Sequence, residues 1–265
     1  GEPDAILARR PHAPLTGPAV TKGTKWMPLF MADFKDRIVL ATSHVYPLSA
    51  AETDPSAPRF ATTEKLLGEG YPEDWATKLA DAQAAGVPYR IAECNTASGG
   101  GKRGVSNTFA AALWSIDFLF DVAHRGGQGV NLHGSFTPNN YSPIVFDKKT
   151  RTYGPAPLYY GLLFLSQAAQ GKFVSCQSHG MAHLVAHAAR GADGKLRVTL
   201  LNKDLAHPVQ VNLEIGAACT RGEVLRLTSP QVDATEGGTF AEASVTAEGR
   251  WSPRTKETLS FRAGR

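Results

Sequence analysis

Cysteine is scarce in this chain, and its spacing does not suit cross-linking. Cys94, Cys176 and Cys219 are three in number and far apart. That offers neither a disulfide framework nor the paired spacing of a zinc site. Long apolar runs are missing too. None approaches the ~18 residues that a membrane-crossing helix needs, so no membrane partner is expected. Basic residues are scattered rather than massed, and no nucleic-acid motif accompanies them, which removes nucleic acid as an expected partner. His133 has no second His, Asp or Glu at metal spacing, and His179, His183 and His187 fall in a strand pattern. The reading therefore includes no metal and no cofactor.

What is there reads as a folded protein. Hydrophobic residues make up 42% of the chain and charged residues 20%. Its 265 residues suffice for one large domain, or for a medium one with a small companion. The net charge of +4 and an isoelectric point of about 9.0 suit an acidic polysaccharide without identifying one.

The stretch from Pro88 to Asp117 organises the rest. A short apolar run from Tyr89 to Ala92 ends on a carboxylate, Glu93; Gly99, Gly100 and Gly101 follow, and then a helix begins. A strand that delivers an acid just before a loop and a helix is how (β/α)8 barrels present catalytic groups. By itself the pattern also fits an ordinary acid at a strand end.

Upstream and downstream, the spacing alternates between strand and helix. Arg9 to Ala19 is rich in proline and reads as loop. Trp26, Leu29, Phe30 and Phe34 recur at helical spacing, and Ile38 to Ala41 reads as a buried strand. Thr62 to Leu67 starts a helix, and Glu73 to Ala85 forms another, with Trp75, Leu79 and Ala82 as its stripe and Gly86 as its stop. Ser106 or Asn107 caps a helix whose Phe109, Leu113, Ile116 and Phe120 should face the barrel. Gly129 to His133 is a further strand, Tyr141 to Ile144 the start of the last one, and Pro157 opens the last barrel helix. After Gly171 the period changes to two, with runs around Leu184 to Ala188, Arg197 to Asn202, Val209 to Ile215 and Leu259 to Ala263. The expected architecture is α/β plus β, with residues 172–265 as a small antiparallel β-sandwich.

Ile91-Ala92-Glu93-Cys94-Asn95, the three glycines, and Gly104-Val105-Ser106-Asn107-Thr108-Phe109-Ala110-Ala111-Ala112-Leu113-Trp114 resemble the nucleophile region of family 79 glycoside hydrolases, the heparanases and β-glucuronidases. The resemblance runs over more than twenty residues. It implies that residues 1–171 are the second half of a (β/α)8 TIM barrel, and it implies roles for other residues. Glu93 is then the nucleophile. Glu2, in Gly1-Glu2-Pro3-Asp4, is the acid/base at the end of the fourth barrel strand, with Gly1 where the family has Asn. Tyr46, in Ser43-His44-Val45-Tyr46-Pro47, hydrogen-bonds the nucleophile, and His44 lines the site beside it. Gly99 and Gly100 offer backbone amides to a uronic acid carboxylate, and Asn140-Tyr141 supplies a tyrosine hydroxyl to the same group. His133 stands near the bound sugar. Cys94, beside the nucleophile, points the other way along the strand as a small buried residue.

The implied activity is retaining hydrolysis of β-D-glucuronic acid linkages, in glycosaminoglycans such as heparan sulfate or at terminal β-glucuronides. Two carboxyl groups ~5–5.5 Å apart would do it, one attacking and one first protonating and then activating water. An inactive carbohydrate-binding relative and another glycosidase of the same clan are the alternatives. The N-terminal half of the barrel is the implied partner, and an extracellular or periplasmic location goes with the substrate class.

Overall fold

The computed structural model describes residues 2–21, 23–68, 73–138, 140–180, 183–215, 219–255 and 257–261, with the backbone alone for Glu2, Pro3 and Glu73. Helix α1 (Glu2–Arg9) leads to strand β1 (Thr16–Val20), helix α2 (Trp26–Phe34), strand β2 (Leu40–Val45) and the short β3 (Leu48–Ser49). Helices α3 (Thr63–Leu67) and α4 (Glu73–Ala84) precede strand β4 (Tyr89–Cys94) and the short β5 (Ala97–Ser98). Helix α5 (Phe109–His124) then returns the chain to strand β6 (Val130–Leu132). Strands β1, β2, β4 and β6 pair in that order, each parallel to the next. Parallel neighbours in sequence order, joined through helices, form a wall of the kind from which barrels are built. Among the described residues the wall is open, with β1 and β6 as its edges.

Two expectations about this wall are corrected. The proline-rich stretch read as loop contains β1, which pairs with β2 from Thr16↔Leu40 to Val20↔Ser43 with a slip after Pro18. Pro18 lacks an N–H, and an edge strand tolerates that. Glu2 stands in the first turn of α1. Tyr141 to Ile144 does not open a barrel strand. Strand β7 (Ile144–Asp147) folds back on β8 (Thr152–Pro155) as an antiparallel hairpin. Its turn is closed by Asp147, whose carboxylate accepts from the Lys149 N–H at 2.7 Å. Glu93 consequently stands on the third of four parallel strands, with one more strand ahead of it than the spacing suggested.

The helices pack as their stripes dictate. Met27 and Met31 of α2, Trp75, Leu79 and Ala82 of α4, and Tyr89 and Ile91 of β4 share one core. Burying a side chain of this size contributes roughly 1.5–3 kcal/mol. Helix α5 is buried on almost every side, which changes the meaning of its stripes. Trp114, Phe118 and Val122 turn to the barrel core, while Ile116 and Phe120 join a second cluster with Leu201, Phe164 and Phe173. The expected barrel-facing stripe therefore faces partly away from the barrel. Thr108 occupies the cap position of α5 in extended conformation; Ser106 and Asn107 are spent instead on the loop before it.

Helix α6 (Pro157–Ala168) lies against α5, and beyond it the chain turns to short strands. Strands β9 (Lys172–Phe173), β10 (Leu184–Arg190) and β11 (Leu196–Asn202) form an antiparallel sheet in the order β11-β10-β9. Strand β12 (Arg221–Val224) pairs with β15 (Glu257–Ser260), and β13 (Leu227–Thr228) with β14 (Thr239–Phe240). The expected strand over Val209 to Ile215 is not formed. Its alternation of exposure survives, but among the described residues no neighbour pairs with it. Among the described residues these strands form three small sheets.

Candidate active site

Strand β2 and strand β4 run side by side, and their register brings His44 opposite Glu93. Both side chains emerge at the C-terminal end of the wall, where loops rather than strands can surround them. The Tyr46 hydroxyl donates to Glu93 Oε1 at 2.6 Å. His44 Nδ1 stands 3.7 Å from Glu93 Oε2, beyond hydrogen-bond length. Glu93 keeps about a third of its side-chain surface exposed (34%), so one face of the carboxylate is open to an incoming group. Burial, reinforced by the hydrogen bond to Glu93, drives the Tyr46 hydroxyl well above the usual tyrosine range. It is held as a proton donor. Cys94 is fully buried behind Glu93, as its neighbouring position on the strand demands, and burial pushes its thiol up to about 12.

The remaining candidates gather around Tyr141. This ring is buried, faces Tyr46 with centroids 6.4 Å apart, and brings its hydroxyl within 2.5 Å of His133 Nδ1. Burial raises the Tyr141 hydroxyl above its ordinary range; hydrogen bonds with Tyr46 and the Gly100 N–H oppose the rise, and the Glu93 charge adds to it. Glu93, Tyr46, Tyr141, His133 and the Gly100 amide thus form one continuous polar surface. Gly99 and Gly100 are exposed and adopt φ of +83° and +94°, a conformation that glycine alone adopts without strain. Gly101 carries the tightest requirement. A Cβ there would come within 3.0 Å of both the Tyr141 ring and its backbone nitrogen. Asn140 turns away from the others: its side chain bonds Ser135 Oγ and the Ser142 N–H, shaping the loop that carries Tyr141. The Glu2 side chain and Gly1 lie outside the described residues.

Residues for which the sequence suggested no role in the site hold this surface in shape. Asn95, fully buried, donates to the backbone carbonyls of His133 at 2.8 Å and Tyr141 at 3.2 Å. Ser106 Oγ accepts from Thr96 Oγ1 and from the Lys102 N–H, both at 2.8 Å, and closes the glycine loop on itself. Arg59 donates to the carbonyls of Tyr46 and Leu48 at 3.0 and 3.3 Å. An Asn after a strand and a Ser after a glycine run look like ordinary turn residues. Only their burial marks them as structural centres.

Two cavities, of about 550 and 480 Å3, lie elsewhere. Both form where the helices of the open wall meet the chain after Gly171, and neither is lined by Glu93 or Tyr46. An open wall offers one side of a cleft, so depth is a poor guide to chemistry here. Among the described residues, no group of three or more His, Cys, Asp and Glu side chains could hold a metal ion, and no helix is long and apolar enough to cross a membrane.

Comparison with known proteins supplies the context for this geometry. No family model matches the chain. It is 30% identical over 91 residues to a β-glucuronidase of Aspergillus niger, covering 34% of this chain and 17% of that protein. A baicalin-β-D-glucuronidase of Scutellaria baicalensis is 24% identical over 222 residues, covering 81% of this chain and 40% of that one. Among solved structures, a 4-O-α-L-rhamnosyl-β-D-glucuronidase from Fusarium oxysporum superposes with a TM-score of 0.77 at 19% identity, covering 99% of this chain and 59% of its own. An α-L-arabinofuranosidase from Thermotoga maritima gives 0.64 at 15%, covering 98% and 56%. The chain thus spans less than two thirds of the length of each. These likenesses show the α/β fold that those glycosidase structures share.

Proposed function

We propose that this chain supplies the nucleophile side of a retaining glycosidase acting on β-D-glucuronides, of the family 79 kind. The observation that carries the reading is the Tyr46–Glu93 hydrogen bond of 2.6 Å with Tyr141 and the Gly100 amide beside it. A carboxylate positioned by a neutral donor can attack an anomeric carbon. An adjacent group of neutral O–H and N–H donors suits a sugar that carries an acid of its own.

In this mechanism Glu93 displaces the leaving group and forms a glycosyl ester. Glu2 first protonates the departing oxygen and then takes a proton from the water that hydrolyses the ester. Tyr46 holds the attacking oxygen in line. Gly99, Gly100 and Tyr141 bind the uronate carboxylate, with His133 behind Tyr141 and His44 at the near rim. The substrate is a terminal β-glucuronide or a glucuronic acid within a glycosaminoglycan such as heparan sulfate. The N-terminal half of the barrel completes the cleft, and the substrate class points to an extracellular or periplasmic protein. Similarity to enzymes named β-glucuronidases supports the sugar assignment.

The test uses the full-length protein with p-nitrophenyl β-D-glucuronide and with heparan sulfate, beside Glu93→Gln. Release by the wild type, absent in the variant, is expected. Proton NMR of the first product formed should show the β-anomer, as retention requires. Wild-type protein inert on both substrates, or an α-anomer formed first, rejects the assignment.

A further inference from the structure

We infer that Asn95 is a positioning residue that sets the preference for an acidic sugar, an inference that rests on the glucuronidase reading above. Asn95 stands two residues after Glu93 and is fully buried. Both donors of its amide and its oxygen are engaged. Nδ2 donates to the carbonyls of His133 at 2.8 Å and Tyr141 at 3.2 Å, and Oδ1 accepts from the Thr96 N–H at 2.8 Å. The backbone adds a further tie, with the His133 N–H donating to the Cys94 carbonyl at 2.9 Å. One side chain therefore joins three segments: the end of β4 that bears Glu93, the end of β6 that bears His133, and the loop that bears Tyr141.

No other described contact spans all three in this way. Tyr141 belongs to a loop whose hairpin leaves the barrel wall, so the wall itself does not fix it relative to Glu93. The His133–Tyr141 side-chain bond of 2.5 Å links those two residues to one another but not to β4. Gly101 meets the Tyr141 backbone from the other side and limits how near the ring comes, without holding it there. Tyr46 and the Gly100 N–H reach only the Tyr141 hydroxyl; Asn95 holds the backbone of its loop. A buried amide lost from such a place leaves two carbonyls without partners, and the cheapest relief is for the Tyr141 loop to move outward.

The reacting carboxylate should be little disturbed by this, because Tyr46 and Glu93 are on strands already paired to one another. What suffers is the distance between Glu93 and the group that receives the uronate. Loss of Asn95 should accordingly act on glucuronides and spare neutral glucosides. A merely structural role would weaken both alike.

The experiment compares the full-length wild type with Asn95→Ala and Asn95→Asp on p-nitrophenyl β-D-glucuronide and p-nitrophenyl β-D-glucoside. Both variants should lose about 100-fold in kcat/KM on the glucuronide, chiefly through KM, as expected for misplacement by an ångström. Glucoside turnover should stay within a few-fold of wild type. Aspartate is included because it keeps the acceptor for Thr96 and much of the volume but loses both donations. Folded variants with an unchanged glucuronide-to-glucoside ratio overturn the inference while leaving the glucuronidase reading intact. Should both variants fail to fold, the wild type decides by NMR. The Asn95 side-chain amide protons should exchange slowly and shift on addition of glucuronic acid but not glucose; an amide that exchanges fast, or that ignores glucuronic acid, overturns it. A wild type that neither cleaves the glucuronide nor binds glucuronic acid removes the reading on which the inference stands.

Discussion

At the scale of single residues, the chemistry concentrates on hydroxyl groups that keep their protons. Tyr46→Phe removes one oxygen and little volume, and leaves Glu93 without its 2.6 Å donor. The expected loss in kcat is about 100-fold, the usual cost of one preorganised donor, with thermal stability nearly unchanged; steady-state kinetics beside a melting curve separate the two. Tyr89 illustrates a proton kept for stability instead. It is buried against Ser43, and burial pushes its hydroxyl up to about 12 despite that hydrogen bond. In the unfolded chain the same group titrates near 10. The folded state thus keeps a proton that the unfolded state has lost. Its contribution is intact below pH ~10 and declines by about 1.4 kcal/mol per unit as pH rises toward 12. Tyr46 and Tyr141 act with the same sign. Melting temperatures from pH 9 to 12 should fall steeply after 10, and a Ser43→Ala/Tyr89→Phe pair should flatten the fall.

Elements were legible in the sequence where one stripe served one neighbour. Helix α4 shows this: Trp75, Leu79 and Ala82 face a single core, and the helix spans Glu73–Ala84 as the spacing implies. Strand β1 was hidden because Gly17 and Pro18 look like turn residues, and only an edge position lets them stay in a strand. Helix α5 was read with the right length but the wrong orientation, since a helix buried all round has no single stripe to follow. Within the site, Glu93, Tyr46 and the glycines were visible as motif. Arg59 was not, and Asn95, though within the motif, showed no role, because backbone carbonyls are their partners and sequence does not reveal carbonyl positions. The α5–α6 contact makes an element-scale prediction. A Cβ on Gly161 would lie 2.2 Å from Ser115 Oγ and 2.5 Å from the Ala112 carbonyl. Backbone cannot yield as a side chain can, so Gly161→Ala should cost about 1–3 kcal/mol through forced separation of the helices. Chemical denaturation should show it, and Ser115→Ala should restore only part, because the Ala112 carbonyl remains in the way.

On the scale of the whole molecule, the question is what couples the open wall to the strands after Gly171. An apolar cluster does part of this, with Ile116 and Phe120 of α5 packed beside Leu201. At its edge lies a buried charge. Asp117 of α5 accepts from Lys203 Nζ at 2.9 Å and pairs with His187 Nε2 at 3.3 Å, and all three side chains are about a tenth exposed or less. His187 also stacks on Phe120, with centroids 4.4 Å apart, so the ionic and apolar contacts share residues. A pair this deep gains little net stability from its own attraction, because both ions gave up water to form it. Breaking it is another matter. Asp117→Ala leaves the Lys203 ammonium buried opposite no carboxylate, and should cost roughly 3–5 kcal/mol. Replacing both ions by apolar groups of similar size, Asp117→Leu with Lys203→Met, removes the stranded charge and should recover most of that loss. The double-mutant cycle is read by chemical denaturation, with amide exchange reporting whether β10 and β11 open before the barrel core. A double variant no more stable than Asp117→Ala would mean that the carboxylate serves its other neighbours and not Lys203. Recovery would show that this charge joins the two parts without being what makes them stable.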